Sequence, residues 1–163
     1  MVTATIVRLI ALLFAALATG ALVVNWLGLA RAMARLPSAS AYTEFHQVST
    51  QTFDPYMPIV VWGALLGGVA LTVLSAGLSS APGQLAVAGF FCYAAVIAIS
   101  LPTGVRMNQL IAHWSIESPP DDWALIRARW IRFHILRTLF SVPGLACYLL
   151  SCLLVEGPLT RPT

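Results

Sequence analysis

The residues best suited to chemistry lie in one short stretch of the sequence. Arg127, Trp130, His134 and Arg137 are spaced by three, four and three residues, so a helix would align them on one face. Histidine can exchange a proton near neutral pH or bind a metal, and arginine carries a lasting positive charge. The stripe therefore indicates a candidate site near the start of the last apolar segment.

A second polar row precedes this stripe. Arg106, Gln109 and His113 are spaced by three and four residues, with Asn108 beside them, and His46 lies in an earlier polar stretch. We expect both rows and His46 at the same membrane face. Three histidines could form a metal site, since imidazole binds Zn, Cu and Fe. The positions of His46, His113 and His134 match no recognised ligand pattern, so no bound metal is predicted.

Arg137 needs an explanation beyond helix formation. It falls at or inside the hydrocarbon boundary, where an unpaired arginine costs roughly 3 kcal/mol on insertion scales. The helix dipole also opposes a cation near a helix N-terminus. Contact with lipid headgroups accounts well for Arg129 and Arg132, and less well for Arg127 and Arg137. The tryptophans have two interpretations as well, an interfacial aromatic belt or the wall of a slot for a flat ligand.

The composition indicates the kind of fold that must position these residues. Hydrophobic residues make up 59% of the chain and charged residues 9%, and the mean hydropathy is +0.85, which excludes an ordinary soluble surface. The net charge of +3 is too small for a nucleic-acid surface. Four segments are long and apolar enough to cross a bilayer. The sequence thus predicts one all-α domain over residues 1–163, an integral membrane four-helix bundle with spans at 9–30, 59–78, 85–101 and 133–155.

The connections differ in character. Residues 36–54 are polar and are expected to form an interfacial helix or an ordered loop, whereas residues 79–84 read as a plain turn. Pro119-Pro120-Asp121-Asp122 is a helix-start signal, which predicts an extended last helix about 50 Å long at 1.5 Å per residue. Bends are expected at Pro102 and Pro143. Small residues one turn apart predict close packing in two places, Gly63 with Gly67 and Ala16 with Gly20.

One part of the sequence resembles a known family. The order Asn108-Gln109-Leu110, Trp114, Pro120-Asp121-Asp122-Trp123, Arg127, Arg129-Trp130, His134 and Arg137 resembles the anthrone oxygenase-like family of small four-helix membrane proteins. The resemblance implies fungal and bacterial proteins, some of which oxidise anthrones to anthraquinones with O2.

The resemblance also implies roles. The reaction needs a base, with His134 as first choice and His46 as second, and donors for the developing oxyanion, with Arg137, Arg127 and Asn108 as candidates. The implied slot for a hydrophobic aromatic substrate would be lined by tryptophans, namely Trp114, Trp123 and Trp130. O2 is the co-substrate and no cofactor is predicted, although His46, His113 and His134 stay the candidate ligands of a metal.

Two other functions remain open at this point. A non-enzymatic accessory or assembly protein could use the arginine and tryptophan stripe to bind a partner subunit or lipid, with a homo-oligomer also possible. A small transporter component fits less well, because four spans without an inverted repeat are not typical of transporters. The first alternative requires the stripe to face outward, and the enzyme requires it to face a pocket.

The arginine distribution predicts the orientation in the membrane. Seven arginines lie in or beside the two polar connections, whereas Arg8 and Arg161 lie at the opposite face. The positive-inside rule then puts both termini outside and the polar face in the cytoplasm, in what we expect to be a bacterial inner membrane. A cysteine introduced at Ser79 should react with an impermeant thiol reagent added from outside the cell. Labelling from the cytoplasmic side alone would contradict this orientation.

Overall fold

The computed structural model describes residues 2–75 and 77–156, so Arg161 lies outside the described part. Helices account for most of the described residues, turns, bends and irregular segments connect them, and no strand occurs among the described residues. The α-helices, in chain order, are α1 (Val2–Val24), α2 (Arg31–Ala34), α3 (Ala39–Phe53), α4 (Met57–Leu74), α5 (Ala81–Ile99), α6 (Arg106–Ala112) and α7 (Trp123–Glu156). Two π-helical segments, Asn25–Ala30 and Ser100–Val105, join α1 to α2 and α5 to α6.

Four long apolar helices result, and they confirm the predicted helical membrane bundle. They span Val2–Ala34, Met57–Leu74, Ala81–Ala112 and Trp123–Val155. The predicted spans 9–30, 85–101 and 133–155 are shorter than these helices, because polar turns lower the hydropathy of a segment without ending the helix. The predicted span 59–78 extends too far, since α4 ends at Leu74 and Ser75 adopts an extended conformation.

The polar connection after the first span forms a helix. Ser38 caps α3, its Oγ accepting a hydrogen bond from the backbone N of Ala41 at 3.2 Å. Further along α3, Gln47 Nε2 donates to the carbonyls of Ile111 and Trp114 at 2.9 and 3.0 Å. Gln47 therefore attaches α3 to the C-terminal end of α6, where backbone carbonyls lack helical partners.

The two prolines have different effects. Pro102 lies within the π-helical segment Ser100–Val105, where its missing N–H and ring volume are accommodated by the wider helical turn. Ser100 Oγ donates to the carbonyl of Val96 at 2.6 Å there. Pro143, in contrast, lies inside α7, which continues as an α-helix on both sides of the proline.

Small residues allow the first and second spans to pack closely. An ideal Cβ at Gly67 would lie 2.9 Å from the Cβ and 3.0 Å from the Cα of Ala11, and one at Gly63 would overlap the ring of Phe14. The predicted Gly63 and Gly67 contact therefore occurs between α4 and α1. The predicted pair Ala16 and Gly20 is exposed, and nothing lies within 4 Å of an ideal Cβ at Gly20. The prediction of close packing there was wrong, because that face of α1 points away from the bundle.

The other half of the core contains buried hydroxyl groups. Tyr93 and Tyr148 stack with ring centroids 5.4 Å apart, and Tyr93 is 2.8 Å from Thr19 through their hydroxyl oxygens. Ser151 Oγ donates to the carbonyl of Pro82 at 2.8 Å. Such bonds hold helices together in an apolar solvent, where they average roughly 0.6 kcal/mol each in one membrane protein.

Replacing Gly67 by alanine should destabilise the bundle. The new methyl group would overlap the backbone of Ala11, which cannot rotate away, and overpacking of this kind costs about 1–3 kcal/mol. Gly20→Ala is the matched control, since it adds the same methyl group to open space. Thermal unfolding in detergent should show a lower Tm for Gly67→Ala alone. Equal Tm values for the two variants would refute the close contact.

Candidate functional site

A cavity of about 240 Å³ opens between α4, the α5 to α6 segment and α7. Its apolar wall includes Leu22, Val61, Val96 and Ile97. Lining residues at its edge, including Trp62, Leu101 and Val105, are exposed on the outer surface of the bundle. The cavity therefore combines an apolar interior with an opening between helices that would face lipid.

Four polar residues interrupt this apolar wall. They are Asp54, Ser100, Asn108 and Arg137. Three of them, Asp54, Asn108 and Arg137, also line a smaller adjoining cavity of about 60 Å³. Asn25, Trp130 and His134 are among the other residues of the smaller cavity, whose volume is close to that of two water molecules in the liquid.

Arg137 lies at the wall shared by the two cavities. Its Nη1 donates to Ser100 Oγ at 3.2 Å, and its Nη2 lies 2.6 Å from Nε2 and 3.0 Å from Nδ1 of His134. Gly104 lies beside the guanidinium, since an ideal Cβ there would be in van der Waals contact with Nη1 at 3.4 Å. The buried Nε of Arg137 has no hydrogen-bond partner. The guanidinium thus lies at the wall of both cavities, and its enclosed Nε keeps an N–H without an acceptor.

Asn108 connects the cavity to two other elements. Its Oδ1 accepts from Trp130 Nε1 at 2.9 Å, which fixes the amide orientation, and its Nδ2 then points to Asp54 Oδ1 at 3.3 Å. Burial raises the pKa of the Asp54 carboxyl above its usual value, while the hydrogen bond from Asn108 and the charge of Arg137 lower it. The Asp54 carboxylate therefore lies at the mouth of the cavity. Partial burial favours its protonated form there, while Asn108 and Arg137 favour its charged form.

His134 is contacted by Trp130 and Arg137 at its ring and by Thr138 at its backbone. Its ring lies 3.8 Å from that of Trp130 between centroids, and only 5% of the residue surface is exposed. Thr138 Oγ1, one turn further along α7, donates to the His134 carbonyl at 2.9 Å and lies 3.2 Å from the carbonyl of Leu22. With Trp130 and Arg137 both against its ring, the buried imidazole has little freedom to reorient.

His46 lies behind Trp130, outside the lining of both cavities. Its ring packs against Trp130 edge to face at 5.1 Å, and its Nδ1 is 3.3 Å from the hydroxyl oxygen of Tyr42. Burial lowers the pKa of His46 to about 4, so the ring is neutral at pH 7. Burial also raises the pKa of Tyr42, which keeps the phenol protonated. This pair supports the back of Trp130 with neutral polar groups.

Three further residues predicted to bind substrate lie away from the cavities. Arg127 packs over the ring of Trp123 at 4.6 Å and donates to the carbonyl of Met33 at 3.2 Å. Trp114 packs in the cluster that contains Met33 and Trp130 and accepts from Gln47 through its carbonyl. Neither cavity is lined by Trp114, Trp123 or Arg127.

The three histidines do not form a single cluster. His46 and His134 both contact Trp130, but His113 is exposed and its Nδ1 lies 2.7 Å from the carbonyl of Gln109. Within residues 2–75 and 77–156, no group of three or more His, Cys, Asp or Glu side chains is close enough to hold one metal ion.

The structure adds residues that the sequence analysis did not assign to the site. Asp54 ends the polar connection and precedes Pro55 and a long apolar run, and an acidic residue at such a boundary was an available signal. Ser100, two residues before Pro102, had no comparable signal. Asn25 interrupts an apolar segment, and its buried Oδ1 has no hydrogen-bond partner.

Comparison with known proteins extends this description. Neither the curated proteins nor the solved structures contain a match to the chain. The model of the anthrone oxygenase family matches residues 45–147, which cover more than half of the chain and include Asp54, Asn108, His134 and Arg137. The chain therefore belongs to the anthrone oxygenase family.

Proposed function

We propose that this membrane protein oxidises a hydrophobic aromatic small molecule with O2, through an enolate formed by proton abstraction. One observation carries the proposal: the Arg137 guanidinium, with an unpartnered buried Nε, lies at the wall of an apolar cavity. Membership of the anthrone oxygenase family supports oxygenase chemistry, and anthrone is the simplest substrate of that type.

The reaction can be written with its atoms balanced. A base removes a proton from the methylene group between the rings of an anthrone, and the C–H electron pair moves into an enolate. The enolate transfers an electron to O2, and the resulting radical and superoxide combine to a hydroperoxide after protonation. Loss of water converts the hydroperoxide to the ketone, so anthrone and O2 yield anthraquinone and water.

The cavity suits a planar apolar substrate. A cavity of about 150 Å³ lined by aliphatic and aromatic side chains can hold benzene. The cavity here, at about 240 Å³, has room for a larger ring system, part of which can extend through the opening beside Trp62 and Leu101. An apolar substrate dissolved in the bilayer would reach that opening without crossing water.

Arg137 is the group we assign to the developing oxyanion. A donor fixed in place before the reaction stabilises charge without reorganisation, and it is more effective where water is excluded. Ser100 and His134 hold the guanidinium in position. His134, the first choice for the base in the sequence analysis, lines the smaller cavity and is in contact with Arg137.

The burial of the stripe favours oxidation over the accessory-protein alternative. A surface that recruits a partner subunit would expose its tryptophan and histidine, but Trp130 and His134 are buried. Arg129 and Arg132 are exposed on α7 and remain available to lipid headgroups.

Filling the cavity should abolish binding without unfolding the protein. Val61 is 8% exposed and lines the cavity, so Val61→Phe would place a ring in existing space. We expect the KM for anthrone to rise at least about tenfold, the effect of losing roughly 1.4 kcal/mol of binding, while Tm is unchanged or higher. Val69→Phe, on the lipid-facing side of α4, is the control. Equal oxygen uptake by both variants would exclude this cavity as the substrate site.

Removing the arginine should lower turnover. Arg137→Gln is expected to reduce oxygen-dependent oxidation of anthrone by about 10²–10³, the usual effect of losing one oxyanion donor. Arg129→Gln removes an exposed arginine of the same helix and should have wild-type activity. The measurement is oxygen uptake by purified protein in detergent, above the rate in buffer. If both variants match the wild type, Arg137 has no part in the reaction; if wild-type protein takes up no oxygen, the proposed function is wrong.

A further inference from the structure

We propose that Asp54 is the residue that accepts the substrate proton, with Arg137 stabilising the enolate that results. This inference rests on the proposed function and names a catalytic group within it. Its basis is geometric: Asp54 and Arg137 are the two ionisable side chains that line the larger cavity.

Asp54 supplies the negative charge and Arg137 the positive charge that the reaction needs. The carboxylate can take a proton from the methylene carbon while the substrate carbonyl faces the guanidinium. The C–H bond breaks, the new O–H bond forms on Asp54, and the electron pair moves through the ring to the enolate oxygen. One formal charge is thereby transferred from Asp54 to a substrate oxygen beside Arg137, so the net charge of the site does not change.

The surroundings of Asp54 favour this role. Asn108 Nδ2 lies 3.3 Å from Oδ1 and 3.5 Å from Oδ2, and Asn108 is itself fixed by Trp130. The carboxylate is therefore held between α3 and α4 by a group that cannot take its proton. Partial burial raises the pKa of Asp54 although the residue keeps contact with solvent, which makes the carboxylate a stronger base than a fully hydrated one. A positioned aspartate of modestly raised pKa is an effective general base for C–H groups next to a carbonyl.

Asp54 also has a route for the proton that His134 lacks. Asp54 is exposed, so the proton can pass to water once the enolate has formed. His134 is 5% exposed, and one of its ring nitrogens is 2.6 Å from a guanidinium nitrogen. A positive neighbour at that distance opposes protonation of the imidazole. The structure thus assigns His134 to positioning Arg137.

Proton abstraction can be measured apart from the oxygen step. Anthrone is incubated anaerobically in D2O with the purified full-length protein, and exchange of its methylene hydrogens is followed by NMR at a pH where the buffer rate is low. Wild-type protein should accelerate exchange, and Asp54→Asn should lower that acceleration by about 10²–10⁴. Glu44→Gln replaces an exposed acid on α3 that lines neither cavity, and it should exchange like the wild type.

Two further variants make the result decisive. Acetate should restore exchange to Asp54→Ala, because a small carboxylate can occupy the vacated mouth of the cavity. His134→Gln should exchange more slowly than the wild type but faster than Asp54→Asn, because it loosens the donor Arg137 and leaves the base in place, and its oxidation should fall in the same proportion. Undiminished exchange in Asp54→Asn, or a full loss in His134→Gln with no rescue of Asp54→Ala, would overturn the assignment. If the wild-type protein still oxidises anthrone in that case, the proposed function stands and only the assignment of Asp54 is wrong. If the wild-type protein neither exchanges nor oxidises anthrone, the assignment and the proposed function are both wrong.

Discussion

The site depends on placing an arginine within a membrane-spanning helix, well away from either end of that helix, without surrounding it with water. An arginine in that position is expensive on insertion scales, by roughly 3 kcal/mol, unless polar groups share its charge. Arg137 obtains those groups from Ser100 on one side and His134 on the other. Its Nε is buried and has no hydrogen-bond partner, so the protein groups around the guanidinium satisfy it only in part.

Several features of the fold follow from this constraint. The π-helical segment Ser100–Val105 brings both Ser100 and Gly104 to the guanidinium, and Ser100 accepts a hydrogen bond from it. The polar helix α3 ends beside the site and supplies Asp54 to its mouth. Trp130 orients Asn108 from α7, and the neutral pair of His46 and Tyr42 supports Trp130 from behind. Segments that are far apart in the sequence thus meet around the positive charge of Arg137.

Local patterns in the sequence predicted a large part of this structure. The four apolar segments, and the helix start directly after Asp122, depend on hydropathy and backbone chemistry within one segment. Helical spacing also placed Trp130, His134 and Arg137 on one face of α7, and these three meet at the smaller cavity. Arg127 shares that face but not the cavity, because its guanidinium packs over the ring of Trp123 and donates to the carbonyl of Met33.

The remaining features depend on contacts that spacing within one helix cannot reveal. Asp54 meets Asn108 across 54 positions of sequence, through the packing of α3 against α6. The same limit explains why Gly20 was expected in an interface: a small residue shows that a close approach is possible, but not which face of α1 meets a neighbour. The predicted spans were also too short, because a polar turn inside a long helix lowers the hydropathy of the sequence just as the end of a helix does.

The central claim is that one O2 oxidises one enolate bound beside Arg137, and isotope labelling tests it most directly. Purified wild-type protein is given anthrone under ¹⁸O2, and the product and oxygen consumption are measured together. The account predicts one O2 consumed per anthrone and anthraquinone carrying a single ¹⁸O atom, with the second ¹⁸O atom in water and no accumulation of hydrogen peroxide. Oxygen consumption no faster than in buffer, or anthraquinone without ¹⁸O, would contradict it.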